Sequence, residues 1–252
     1  MTTALKIDRL VDNIHNTSIT YPDATFSEKG KVYTCLNPYS YHILRHNPEV
    51  YRRMDGIFVD GMLMCKFIRL LWHHNIPRLS LDMSGMAPDL FRRLNAKDCH
   101  ESLYLLGARQ NEVESSAAQI KSAYPDINII GCRNGYFKDT EERRLTIENI
   151  VSLNPDFILI GMGSPLQEKF AADLRDAGFK GIGFTCGGFL HQTSAHINYY
   201  PGWIDRYNLR AFYRIYREKG LMGRLYNVLI QFPALFTFDT LRHRLFHRNN
   251  GF

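Results

Sequence analysis

The sequence predicts an α/β fold: a Rossmann-like parallel sheet flanked by helices, with a basic helical appendage at the C-terminal end. Three observations carry that prediction. Short apolar runs recur between residues 102 and 188, a segment with helical spacing separates each from the next, and each run leads into glycine. Strands buried on both faces read as near-continuous apolar runs, and parallel pairing requires helical crossovers between them.

Taken in order, KVYTCLNPYSYHILRH (31–46) reads as strand, turn and helix. GIFVDGMLMCKFIRLLWHHN (56–75) reads as a short buried strand, an Asp-Gly turn and an amphipathic helix. SLYLLGA (102–108) is the next strand, and NEVESSAAQIKSAYP (111–125) follows it with helical spacing. INIIGCRNGYF (127–137) is strand and turn. DTEERRLTIENIVSLNP (139–155) is a helix with Asp139 or Thr140 as N-cap and acids in its first turn, where they favour the positive end of the helix dipole. DFILIGMGSP (156–165), LQEKFAADLRDAG (166–178) and GIGFTCGG (181–188) give strand, helix and strand. No repeat or low-complexity linker interrupts them. The expected division is an α/β catalytic domain over 1–202 and a basic, aromatic helical appendage over 203–252.

Bulk properties narrow the class. Hydrophobic residues make up 45% of 252, enough for a packed core, and the net charge of +6 invites a polyanionic partner. Much of that charge lies in the last fifth of the chain, at Arg206, Arg210, Arg214, Arg217, Lys219, Arg224 and beyond. Five scattered cysteines without a CxxC pair suit a reducing compartment and argue against a disulfide framework or a zinc site. Charges interrupt the N-terminal MTTALKIDRLVDNI, so it does not read as a signal peptide. No run approaches the roughly 20 apolar residues that span a bilayer. The expected location is the cytosol, or a membrane approached from its cytosolic side.

Ligands of parallel α/β sheets bind beyond the carboxyl ends of the strands. Here those ends are Gly107-Ala108-Arg109, Gly131 to Phe137 with Asn134, Gly135 and Tyr136, Gly161-Met162-Gly163-Ser164-Pro165, and Thr185 to Gly188 with Gly187. Glycines let backbone amides approach a ligand, and the helix starts that follow favour anions, so a nucleotide diphosphate is the natural occupant. The plain alternative is that each glycine only turns the chain. In GMGSPLQE, Pro165 stands where a helix begins, Ser164 is its expected N-cap, and Gln167 and Glu168 in the first turn reach toward the ligand edge. A capping box from Ser164 to Gln167 explains the same spacing. In FVDGM (58–62), Asp60 ends a buried strand, as a general base or as the first residue of an Asp-Gly turn. Asn37 is either a turn residue or a ligand contact. His42/His46 and His243/His247 stand at i,i+4 without the glutamate or cysteines of a metal motif, so no metal is expected. GMGSP does not match GxGxxG, which weakens an oxidoreductase reading. The basic tail leaves nucleic-acid binding as a third class, without a motif for it.

The set FVDGM, LYLLGA, YPDINIIGCRNGYF, NPDFILIGMGSPLQEKF and GIGFTCGGF resembles, in order and spacing, the WecG/TagA/CpsF glycosyltransferases over about Val32 to Tyr226. The resemblance implies inverting transfer from a UDP-sugar, with no further cofactor, to a polyprenyl-diphosphate-linked saccharide in surface-polysaccharide synthesis. It implies Asp60 as base and Asn37, Arg78 and Gln167 as donor-site residues beside the glycine loops. Departures fall at Cys35, at Leu81 in the loop after Arg78, in SAHINYYPGW (194–203), and at Arg210-Ala211. They bear on the sugar and acceptor more than on the reaction. RAFYRIYREKGLMGRLYNVLIQFPALF (210–236) interleaves Arg with aromatic and aliphatic residues, so Arg210, Arg214, Arg217 and Arg224 are expected on the acceptor or an anionic membrane surface. The setting would be the cytoplasmic face of the bacterial inner membrane. The same helix could instead pack on the domain or on a second subunit. Pro233 is expected to break it.

Overall fold

The computed structural model describes residues 5–197 and 225–248. Its centre is a six-stranded, wholly parallel sheet in the order β2-β1-β6-β5-β3-β4. The strands are β1 (Lys31–Leu36), β2 (Gly56–Val59), β3 (Ser102–Gly107), β4 (Asn128–Arg133), β5 (Phe157–Gly161) and β6 (Ile182–Thr185). All four predicted strands between 102 and 188 are present. Every residue of β5 and β6 is buried, as their unbroken apolar runs require. The edge strand β4 is half exposed.

Side-chain alternation along the strands divides the core in two. One face, with Val32, Leu36, Leu106, Ile158 and Ile160, is covered by α1 (Ile7–Ile19), α2 (Pro38–His46), α3 (Pro48–Tyr51), α4 (Met62–Trp72), α7 (Thr140–Leu153) and α8 (Leu166–Asp176). The other, with Phe58, Leu103, Leu105, Leu159 and Phe184, is covered by α5 (Ala87–Leu94), α6 (Gln110–Ala123) and α9 (Phe189–Thr193). The helices after β3 and β5 therefore leave to opposite faces although the strands are neighbours. In open parallel sheets such a divergence is where ligands bind, above the carboxyl ends of the strands.

The N-cap of α7 is Asp139, whose carboxylate accepts from the Glu142 amide at 2.8 Å. Helix α1 was not anticipated. Its Ile7, Leu10, Val11 and Ile14 form one buried face against β2, and Lys6 and Arg9 are exposed.

The described part of the C-terminal segment is a π-helical turn (Asn227–Gln231) running directly into α10 (Phe232–Arg248). Pro233 does not end the helix. The Phe232 N–H donates five residues back to the Asn227 carbonyl, and this wider turn accommodates a proline that has no N–H of its own and whose ring would crowd an ordinary α-turn. Helix α10 packs on the domain: Phe232 and Phe236 are buried among Tyr41 and Phe67. Asp239 accepts two bonds from Arg45, at 2.7 and 3.0 Å, and one from the Tyr41 hydroxyl at 2.7 Å. Trp72 Nε1 donates to Thr240 Oγ1 at 3.1 Å. Its opposite side exposes Phe238, Leu241, Leu245 and Phe246. Arg210, Arg214, Arg217 and Arg224 lie outside the described residues.

Candidate active site

The strand order places the carboxyl-end residues in one row: Asp60 beyond β2, Asn37 beyond β1, Gly187 beyond β6, Gly161 to Pro165 at the end of β5, Gly107-Ala108 at the end of β3, and Asn134 to Tyr136 beyond β4. The sheet thus sets these residues along one edge, with two polar clusters flanking a glycine-lined centre.

At the β2 end, the Asp60 amide continues the ladder to the Leu36 carbonyl at 2.8 Å, which fixes where its carboxylate stands. The Asp60 side chain is about one-third exposed, and Oδ1 accepts from Arg78 Nη2 at 3.0 Å. The same nitrogen donates to Ser80 Oγ at 2.7 Å and to Asp82 Oδ2 at 3.1 Å. Arg78 is thereby held between two carboxylates, which keep it cationic against the cost of burial. Ser80 and Asp82 were not anticipated. Their signal was their place in the Arg78 loop, since short polar side chains there can hold an arginine.

Asn37 is the N-cap of α2. Its Oδ1 accepts from the Ser40 amide while Ser40 Oγ accepts from the Asn37 amide, both at 2.9 Å. The carboxamide oxygen is thus committed to the helix, which leaves Nδ2 as the group with which Asn37 can meet a ligand.

The β3–β5 centre is tight. The Ala108 amide donates to the Gly161 carbonyl at 3.1 Å, and the Gly135 amide to the Ala108 carbonyl at 3.1 Å. Gly107 has φ of 150°, and a Cβ there would lie 2.3 Å from the Gly161 oxygen, so the close approach of the two strands requires glycine. Asn134 Oδ1 accepts from the Tyr136 amide, and Gln110 Oε1 accepts from Asn134, which pins the β4 turn. Tyr136 is largely exposed. On the α6 and α9 side, His191 Nδ1 pairs with Glu112 Oε1 at 3.0 Å. The Arg109 amide, chiefly, and this His191 contact hold the Glu112 carboxyl below its ordinary range.

The GMGSPLQE segment differs from expectation. Helix α8 starts at Leu166 with Pro165 in the cap position after a cis Ser164–Pro165 peptide. Ser164 does not cap it; its hydroxyl donates instead to Glu168 Oε1 at 2.9 Å. Gln167 and Glu168 are both buried rather than presented at the ligand edge. Gln167 Oε1 accepts from the Gly187 amide at 3.1 Å, and its Nε2 donates to Glu168 Oε1 at 2.9 Å. Glu168 reaches the sheet, where Thr34 Oγ1 donates to Oε1 at 3.0 Å and Thr34 and Thr185 share a 2.7 Å hydrogen bond. Burial pushes the Glu168 carboxyl up, against the lowering effect of the Gln167, Ser164 and Thr34 donors. Spacing places two residues in a first helical turn but does not say which of them faces the sheet. Among the described residues no three His, Cys, Asp or Glu side chains are grouped to hold a metal ion.

The sequence matches a known family model. The Glycosyl transferase WecG/TagA/CpsF family matches residues 5–250. The chain belongs to the WecG/TagA/CpsF glycosyltransferase family. A galactosyltransferase of Shigella boydii, named UDP-Gal:alpha-D-GlcNAc-diphosphoundecaprenol beta-1,4-galactosyltransferase, is 31% identical over 219 residues, 87% of this chain and 90% of that protein. An N-acetylglucosaminyldiphosphoundecaprenol N-acetyl-beta-D-mannosaminyltransferase of Bacillus subtilis is 33% identical over 66% of this chain and 62% of its own length. A protein of the same name from Bacillus spizizenii is 23% identical over 86% of this chain and 84% of its own. The protein is accordingly a WecG/TagA/CpsF enzyme, and its catalytic class is glycosyl transfer, not hydride transfer.

Proposed function

We propose that this enzyme transfers a sugar from a UDP-sugar, with inversion, to a polyprenyl-diphosphate-linked saccharide at the cytoplasmic face of a bacterial membrane. The observation that carries the reading is the single row of strand ends, with an acid–arginine cluster at one end and glycine turns at the centre. Backbone amides and the start of α8 supply the environment a diphosphate needs, and Asn37 Nδ2 lies between that environment and the acid. Asp60 serves as the base: it takes the proton of the acceptor hydroxyl as that oxygen attacks the anomeric carbon opposite the departing UDP. Arg78 fixes its orientation. The beta linkage in the relatives' names is the stereochemistry that one displacement gives from an α-linked nucleotide sugar, and both names specify a diphosphoundecaprenol acceptor.

The membrane part of the proposal draws on α10. Among the described residues no helix is long and apolar enough to cross a bilayer. The exposed Phe238, Leu241, Leu245 and Phe246, preceded by exposed Tyr226, Leu229 and Ile230, suit the interfacial zone that a lipid-linked acceptor occupies.

Asp60→Asn tests the mechanism. Arg78 keeps Ser80 and Asp82, so the loop stays in place. Transfer should fall by about 10²–10⁴-fold while UDP-sugar binding, read by calorimetry, stays near wild type. Near-normal turnover in this variant would remove Asp60 from the role of base.

A further inference from the structure

The mechanism above makes no direct use of Glu168, yet this carboxyl is fully buried and central. Four elements meet at it: Thr34 of β1, Ser164 of the β5 loop, Gln167 of α8, and through Thr34 also Thr185 of β6. All three donors converge on Oε1, and Oε2, equally buried, has no hydrogen-bond partner. None of the three donors is a cation. The Tyr51 hydroxyl of α3, also buried, lies near Glu168 and Ser164. An ionised carboxylate with one bare oxygen and no counter-charge is among the most costly groups to bury, whereas a neutral acid keeps an accepting oxygen and needs none.

We propose that Glu168 is a neutral positioning residue: Oε1 gathers Ser164, Gln167 and Thr34 so that the donor loop after β5, the Gly187 turn and the end of β1 bearing Asn37 keep one fixed spacing, and Oε2 carries the proton. The proposal rests on the UDP-sugar reading only for its kinetic test. Gln167 spans the gap, bonded to Glu168 at one end of its amide and to the Gly187 backbone at the other. Losing the carboxyl frees that amide to turn and lets the β5 and β6 turns drift apart. Ionising it places an unpaired charge inside the sheet face.

The variants are Glu168→Gln and Glu168→Ala, assayed for transfer across pH, for donor KM and kcat separately, and for thermal unfolding. Glu168→Gln, which preserves shape and neutrality, should stay within about threefold of wild type, and Glu168→Ala should raise donor KM about tenfold or more while acceptor KM holds. Wild-type activity should fall as rising pH ionises the carboxyl, and Glu168→Gln should lose that limb. Infrared difference spectra between wild type and Glu168→Gln at neutral pH should show the protonated carboxyl band, a readout that needs no substrate. Absence of that band, or a Glu168→Gln enzyme as impaired as Glu168→Ala, overturns the neutral assignment. Unchanged donor KM in a folded Glu168→Ala enzyme overturns the positioning role. A wild type that shows the band yet binds no UDP-sugar would instead count against the proposed donor.

Discussion

Gly107→Ala separates a glycine that the site needs from one that only turns the chain. Two penalties are imposed at once. The residue holds φ of 150°, where an L side chain is strained by about 1–3 kcal/mol. The new Cβ would also meet Gly161 backbone atoms at 2.3, 2.7 and 2.8 Å, and backbone on a neighbouring strand cannot swing aside as a side chain does. Forcing β3 and β5 apart adds overpacking strain of about 1–3 kcal/mol. The expected total is about 2–6 kcal/mol, a large share of the roughly 5–15 kcal/mol that holds a domain folded. Gly163→Ala is the control. It too has positive φ, 77°, but its Cβ would have nothing within 4 Å, so only a backbone cost of about 1 kcal/mol applies. Urea unfolding of both variants gives the two costs, and the shift of unfolding temperature with added UDP gives the effect on the donor site. Gly107→Ala should lose both stability and UDP protection, and Gly163→Ala should largely keep them. Equal costs within about 0.5 kcal/mol would show that the close β3–β5 approach does not constrain residue 107.

Two predictions concern α10. In a double-mutant cycle of Arg45→Ala and Asp239→Ala, the coupling energy should be about 1–2 kcal/mol, because the pair is bidentate and mostly buried; a coupling near zero would mean that the pair does not fasten the helix. Leu241→Glu with Leu245→Glu should leave the unfolding midpoint nearly unchanged, since both side chains are exposed, and should weaken co-sedimentation with anionic phospholipid vesicles. Unchanged sedimentation together with loss of a dimer in gel filtration would assign this face to a second subunit.

Much of the fold was legible because each layer carried its own signal. The apolar runs of β3, β5 and β6 have no polar face to hide, and Asp139 with its following acids marks a helix start. The row of strand ends followed from parallel topology alone. What stayed hidden was orientation. Ser164 and Gln167 have capping-box spacing, but the Ser164 hydroxyl is taken by a carboxyl that itself belongs to the core. Thr34 is a polar residue at an inward position of an apolar strand, an oddity that its buried partners Glu168 and Thr185 explain. The proline of α10 is a local helix breaker overridden by tertiary packing, with Phe232 and Phe236 anchoring the helix on either side of it.

The strand order also sets the scale of the site. From β2 to β3 there are four strand spacings, which at about 4.8 Å each put the Asp60 end roughly 19 Å from the Gly107–Ala108 turn. A nucleotide gripped at that turn cannot also reach the acid through a single contact; it must lie along the row, over the β5 and β6 ends. Those are the turns that Gln167 and Glu168 tie together. The proposed binding and chemistry thus fall at opposite ends of one sheet edge, with a buried polar hub between them. This is why the substitutions should separate: at Asp60 the rate falls and binding stays, at Gly107 binding falls with the fold, and at Glu168 the two ends lose their register while each remains intact.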